Sequence, residues 1–117
     1  MLNYKELEIW KASVYFCTSI YKTTAKFPEE EKFGLISQLR RASIPVPSNI
    51  AEGSSRNSDK DFIRFLEYSL DSCGEIDTQL FVAFNLQFIP INELNPLTSE
   101  LNRIMIMTNN IIKKLKK

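Results

Sequence analysis

The residues best equipped for chemistry in this chain are cations. Arg40 and Arg41 open the stretch QLRRASIPVPSNIAEGSSR (residues 38–56), Arg56 closes it, and Lys113, Lys114, Lys116 and Lys117 end the chain. Guanidinium and ammonium groups in clusters contact anions, phosphates above all. A lysine run without interleaved aromatics neutralises phosphates in a salt-sensitive way and reads no sequence. The same run also suits a solvated helix end, where cations meet the negative pole of the macrodipole. On a continuous helix Arg41, Ser48, Glu52 and Arg56 share one face by steps of 7, 4 and 4, with Glu52 and Arg56 in the favourable i,i+4 order. Asn49 sits beside them, and Arg64 and Glu67 at the start of the next helix can complete a polar cluster. Such a cluster either contacts a ligand or a subunit, or it holds the local backbone with its donors.

Most enzyme chemistry is excluded by what is missing. There is no histidine, so no Ser-His-Asp triad, Cys-His dyad, His-ligated zinc or Glu-x-x-His di-iron motif can form. Three glycines make no phosphate-binding loop. Cys17 and Cys73 fit no metal-ligand spacing and fall on apolar seams, where core packing in the reduced state is the expectation. No pair of carboxylates at metal-site spacing stands out. The expectation is a non-enzymatic protein without metal or cofactor.

Composition places the chain in an ordinary class. Its 117 residues suit one domain, residues 1–117, with a single core. The net charge of +1 supplies no global field for nucleic acid or membrane, so any electrostatic site must be local. No apolar run approaches the ~20 residues of a membrane span. Glu6 and Glu8 stand where a signal peptide would be apolar, so the expected compartment is the cytoplasm.

Four amphipathic segments position these residues. In the first, Leu7, Trp10, Val14, Cys17 and Tyr21 step by 3 and 4, a seam suited to shallow-angle helix packing. The second opens at Glu29–Glu31 and continues through Phe33, Ile36 or Leu35, and Leu39. Gly53 suits its C-terminus. The third runs from Asp59 to Gln87, capped by Ser58, with Phe62, Leu66, Ser69, Cys73, Ile76, Leu80 and Ala83 in phase. Gly74 in its middle implies a tight helix crossing. The fourth is capped by Asn92 or Asn95, has Pro96 in its first turn, and repeats the pattern from Leu94 through Leu97, Leu101, Ile104, Thr108 and Ile111 to Leu115. Short connections make neighbours antiparallel, so the predicted fold is an all-α, up-down-up-down four-helix bundle.

Pro45 and Pro47 lie inside the second segment. Residues before proline avoid the helical region, which favours a break near Ser43. A continuous but kinked helix would leave the carbonyls of Arg41 and Ser43 without their helical donors. Propensity leaves the two outcomes open.

The stretch from Gly34 to Leu80 resembles a bacterial four-helix-bundle family first noticed as open reading frames in the intervening sequences of 23S ribosomal RNA genes. The likeness is carried by QLRRA (Gln38–Ala42), NIAEG (Asn49–Gly53), Arg56, Phe62 with RFL (Arg64–Leu66) and the step Ser72–Glu75. ELEIWKAS (Glu6–Ser13) and FPEEEKFGL (Phe27–Leu35) are also similar. The resemblance implies a second helix kinked at Pro45/Pro47 rather than broken, although Pro45 stands where members carry a small polar residue. It also implies a ring-like homo-oligomer, a pentamer, and no established enzymatic activity. A related accessory protein of diversity-generating retroelements has the same architecture and contacts RNA and a reverse transcriptase. The combined expectation is a self-assembling platform for RNA or a nucleic-acid enzyme. Arg40, Arg41, Arg56 and the four terminal lysines would contact the anion. A protein-interaction scaffold with no nucleic-acid role is the alternative.

Overall fold

The third segment forms as its spacing predicts. Phe62, Leu66, Ser69, Cys73, Ile76, Leu80 and Ala83 are all buried along one helix of 27 residues. The computed structural model, which describes residues 3–117, is all α, with no strand among the described residues. Its helices are α1 (Glu8–Thr24), α2 (Leu35–Ser43), α3 (Pro45–Ser54), α4 (Asp59–Asn85) and α5 (Ile91–Leu115). Short 3₁₀ turns stand at Tyr4–Glu6 and Glu29–Glu31. α2 and α3 follow one another through Ile44 and make up the second of four rods.

Contacts between rods run in opposite directions along the chain. Gln38 meets Gln79, Val46 meets Ser69, and Gly53 meets Phe62. Thr24 meets Arg40 and Cys17 meets Ser43. Lys26, just beyond α1, pairs with Glu93 at the start of α5 at 2.7 Å. Asp77 of α4 shares a cleft with Leu101 of α5, and Ile63 shares one with Leu115. Neighbouring rods are therefore antiparallel, and one core cluster draws residues from all four. The molecule measures 45 × 23 × 20 Å, and α4 alone accounts for ~40 Å of the long axis at 1.5 Å per residue.

Local chemistry fixes the ends of α4 and α5. Ser58 Oγ accepts from the Asp61 backbone N–H at 3.1 Å, the N-cap expected from sequence. α4 ends at Asn85, two residues short of the expected Gln87, because Gln87 turns to a positive φ of 67°. There the Phe88 N–H donates to Ala83 O and the Gln87 N–H to Phe84 O, both at 2.9 Å. That is a Schellman motif built on glutamine rather than glycine. Ile89 and Leu94, both buried, flank the first turn of α5 as a hydrophobic staple. This pair starts the helix at Ile91, ahead of the expected Asn92 or Asn95 caps, and it places Pro96 inside the helix rather than in its first turn.

Four further expectations are corrected. The buried face of α1 is Ile9, Ser13, Phe16, Cys17, Ile20 and Thr24, whereas Val14 and Tyr21 of the expected seam are 37% and 41% exposed. Ser13 and Thr24 can enter the core because their hydroxyls donate to the carbonyls of Ile9 and Ile20. Glu29–Glu31 form a separate 3₁₀ turn, and α2 begins only at Leu35, whose N–H donates to Glu31 Oε1 at 3.0 Å. Phe33 consequently lies outside the helix and is 89% exposed. Gly74 has open space where its Cβ would be, so it marks no tight crossing. The tight position is Gly53, inside the last turn of α3 rather than past it, where a Cβ would come within 2.7 Å of Phe65 Cβ.

Candidate functional site

The second rod is neither broken nor an ordinary helix at its prolines. Ile44 keeps helical angles, φ −61° and ψ −40°. The ladder around it is loose, with Ile44 N–H to Arg40 O at 3.4 Å and Ser48 N–H to Ile44 O at 3.2 Å. Pro47 cannot donate to Ser43 O, and the Cys17 thiol of α1 donates to that carbonyl instead at 3.0 Å. Burial pushes the Cys17 thiol up from its ordinary value, so it stays protonated and able to donate. Ser69 of α4 donates to Val46 O at 2.9 Å, and Asn49 Nδ2 donates to Pro45 O at 3.0 Å. The bend in hydrogen bonding is thus held by side chains from both neighbouring rods.

The cations singled out by sequence separate into three places. Arg40 is occupied: Nε donates to Thr24 Oγ1 at 2.9 Å, Nη2 donates to Tyr21 O at 3.1 Å, and the guanidinium lies 4.6 Å from the Tyr21 ring centroid. It closes the C-terminal turn of α1, where a cation suits the helix dipole. Arg41 points elsewhere, into a groove of about 360 Å³ between α2 and α4 that Phe33, Gln38, Pro45 and Glu75 also line. No ion pair engages it among the described residues. Arg56 lies at the far end of the rod, ~24 Å from Arg40 at 1.5 Å per residue.

The polar cluster divides. Arg56 pairs with Glu52 at 3.4 Å and Arg64 with Asp61 at 3.6 Å. Phe65 joins the two pairs, its ring 4.7 Å from the Arg56 guanidinium and 5.3 Å from that of Arg64. Asn49 belongs to the proline site instead. Glu67 stays with the Arg64–Asp61 pair: all three line a cleft of about 560 Å³ that Asp59 and Lys116 share. Lys113, Lys114, Lys116 and Lys117 are exposed at this same end, so the basic tail stands beside three carboxylates. Among the described residues no group of three or more potential metal ligands occurs. Nor, among the described residues, is any helix long and apolar enough to cross a membrane.

Sequence reasoning missed two members of the Arg41 groove. Phe33 was hidden because GluGluGluLysPhe scans as the start of a helix; the signal was Gly34, whose missing Cβ leaves room for Glu31 Oε1, 2.7 Å from where that atom would be. Glu75 was marked only as the end of the Ser72–Glu75 step of the family resemblance, with no sign that it faces Arg41. A third feature lies behind the groove. Gln79, only 9% exposed, reaches Gln38 Oε1 with its amide nitrogen at 3.5 Å, and its own oxygen has no partner.

The family profile of the 23S rRNA-intervening sequence protein matches residues 5–110. The chain belongs to that family. A crystal structure of a protein of unknown function, from the S23 ribosomal protein family of Bacteroides thetaiotaomicron VPI-5482, superposes with a TM-score of 0.81. It is 23% identical, and the match covers 90% of this chain and 98% of that one. At that identity the likeness concerns the fold. No curated protein matches the chain.

Proposed function

We propose that this family member is a non-enzymatic, cytoplasmic bundle that self-assembles into a homopentamer and serves as a platform for RNA or for a nucleic-acid enzyme. The observation that carries the reading is the apolar surface the chain leaves uncovered away from the α2–α4 groove: Tyr15 is 68% exposed and Ile106 57%, with Leu86 and Ile91 also exposed. Side chains of this size in water are what an interface would cover. Arg41 and the four terminal lysines add cations, and a ring repeats each of them, so weak phosphate contacts add by avidity. The relation expected between this family and the accessory protein of diversity-generating retroelements supports the same choice of partner.

Native mass and an RNA-binding titration across a salt series test this together. The expected outcome is an oligomer whose affinity falls steeply with salt. Replacing Lys113, Lys114, Lys116 and Lys117 by glutamine should lower the salt slope by about 3. A monomer removes avidity, and absence of RNA binding at about 50 mM salt removes the platform. The second reading, a protein-interaction scaffold, is favoured by one observation: Arg40, Arg56 and Arg64 are all engaged within the chain. An oligomer that binds no RNA at any salt concentration selects it.

A further inference from the structure

We propose that the groove between α2 and α4 is a subsite for one unstacked nucleotide, and that it favours bases with an exocyclic amino group. This rests on the platform reading and adds where and what the platform reads. Phe33 lines the groove with its ring 89% exposed. An aromatic face left in water is a stacking surface for a splayed base, and stacking of this kind is indifferent to base identity. Lys32 Nζ, 5.6 Å from the ring centroid, adds positive charge beside it.

Arg41 supplies the second contact. Its neighbour Arg40 is consumed by Tyr21 and Thr24, whereas Arg41 lines the groove with no ion pair among the described residues. A planar guanidinium fork matches phosphate oxygens. At about 360 Å³ the groove is small, and Pro45 gives it a stiff wall. It has room for a nucleotide rather than a duplex.

Glu75 supplies selectivity. An ionised carboxylate only accepts hydrogen bonds. It can take the amino N–H of cytosine, adenine or guanine, whereas uracil offers only its single imide N–H, flanked by two carbonyl oxygens that face the carboxylate with acceptors. Gln38, whose Oε1 accepts from the amide nitrogen of buried Gln79 at 3.5 Å, adds a further amide to the groove. An acidic peptide could meet Arg41 and Phe33, but it carries no planar base that joins a stacking face to an amino donor for Glu75. The nucleotide uses all three residues.

Fluorescence anisotropy with labelled oligo(rC) and oligo(rU) decamers at neutral pH tests this on the full-length protein. Phe33, Arg41 and Glu75 are all exposed, so their variants should fold, and circular dichroism checks that they do. The wild type should bind oligo(rC) about fivefold more tightly than oligo(rU). Phe33→Ala should weaken both by at least about fivefold. Arg41→Gln should weaken both and lower the salt slope by about 1. Glu75→Gln should abolish the preference, because a carboxamide can both accept from cytosine and donate to uracil. If the wild type binds RNA while Phe33→Ala and Glu75→Gln leave affinity and preference unchanged, the subsite is overturned and the platform stands. If Phe33→Ala disrupts assembly but not RNA affinity, the groove is a protein contact and the subsite is again overturned. If the wild type binds neither oligomer, both proposals fall.

Discussion

Pro47 and Pro96 each remove one helical hydrogen bond, and the two sites meet the loss in opposite ways. Pro47 is buried and frees the carbonyl of Ser43, which has 0% exposure. A thiol 26 residues away on another rod donates to that carbonyl. Pro96 is exposed, and so is Asn92, whose carbonyl it frees, so solvent can serve there. A proline inside a helix is tolerated where a substitute donor exists. In the interior that donor must be built into a neighbouring helix, which ties α1 to the bend and makes Cys17 more than a core filler. On the surface nothing needs building.

The sharpest way to break this comparison is to remove the thiol. Cys17→Ala should cost about 2–3 kcal/mol in urea unfolding, combining an unsatisfied buried carbonyl with a small void. In a Pro47→Ala background, where residue 47 regains its N–H, the same change should cost about 1 kcal/mol less. Equal costs in the two backgrounds would mean that the Cys17–Ser43 contact carries no hydrogen-bond energy. The buried and exposed prolines would then not differ as argued.

Two glycines give the same contrast between interior and surface. Gly53→Ala places a Cβ within 2.7 Å of Phe65 Cβ and 3.3 Å of the Phe62 carbonyl, so α3 and α4 must separate. The expected loss is about 2 kcal/mol. Gly74→Ala meets nothing and should gain about 0.5–1 kcal/mol from helix propensity alone. Thermal or urea unfolding of both variants reads the difference in sign. A loss at Gly74 would show that something outside the single chain packs there.

The legible and illegible parts of the fold divide along the same line. The faces of α4 and most of α5 could be read from heptad spacing, because one stripe on each is much more apolar than its neighbours. α1 carries two competing stripes. The one containing Ser13 and Thr24 wins because those hydroxyls bond back to their own helix, a saving that hydrophobicity alone does not register. The interrupted hydrogen-bond ladder around Ile44 could be anticipated from Pro45 and Pro47. Its donors could not, since Cys17 and Ser69 reach it from 26 and 23 residues away. The candidate groove was legible only as the charge of Arg41. Phe33 belonged to it through a turn that looks helical in sequence, and Arg40, identical in type and adjacent, turned out to be spent on α1.

The mildest test removes the thiol proton without a mutation. Burial, and secondarily the charge of Cys17, push Cys73 up to about 12 from 9.0, and burial also raises Cys17. Both folded values lie above those of the unfolded chain. The stability they represent is therefore complete below about pH 9 and is lost as pH climbs toward about 12, because the unfolded thiols ionise first. Between about pH 8 and pH 10 the wild type should lose about 1 kcal/mol more than Cys73→Ala does. A Cys17→Ala variant, already lacking the donor to Ser43, should likewise show a shallower decline than the wild type. Parallel pH profiles for all three proteins would show that the thiols are open to solvent. The donor at the buried proline would then be no better protected than the water at the exposed one.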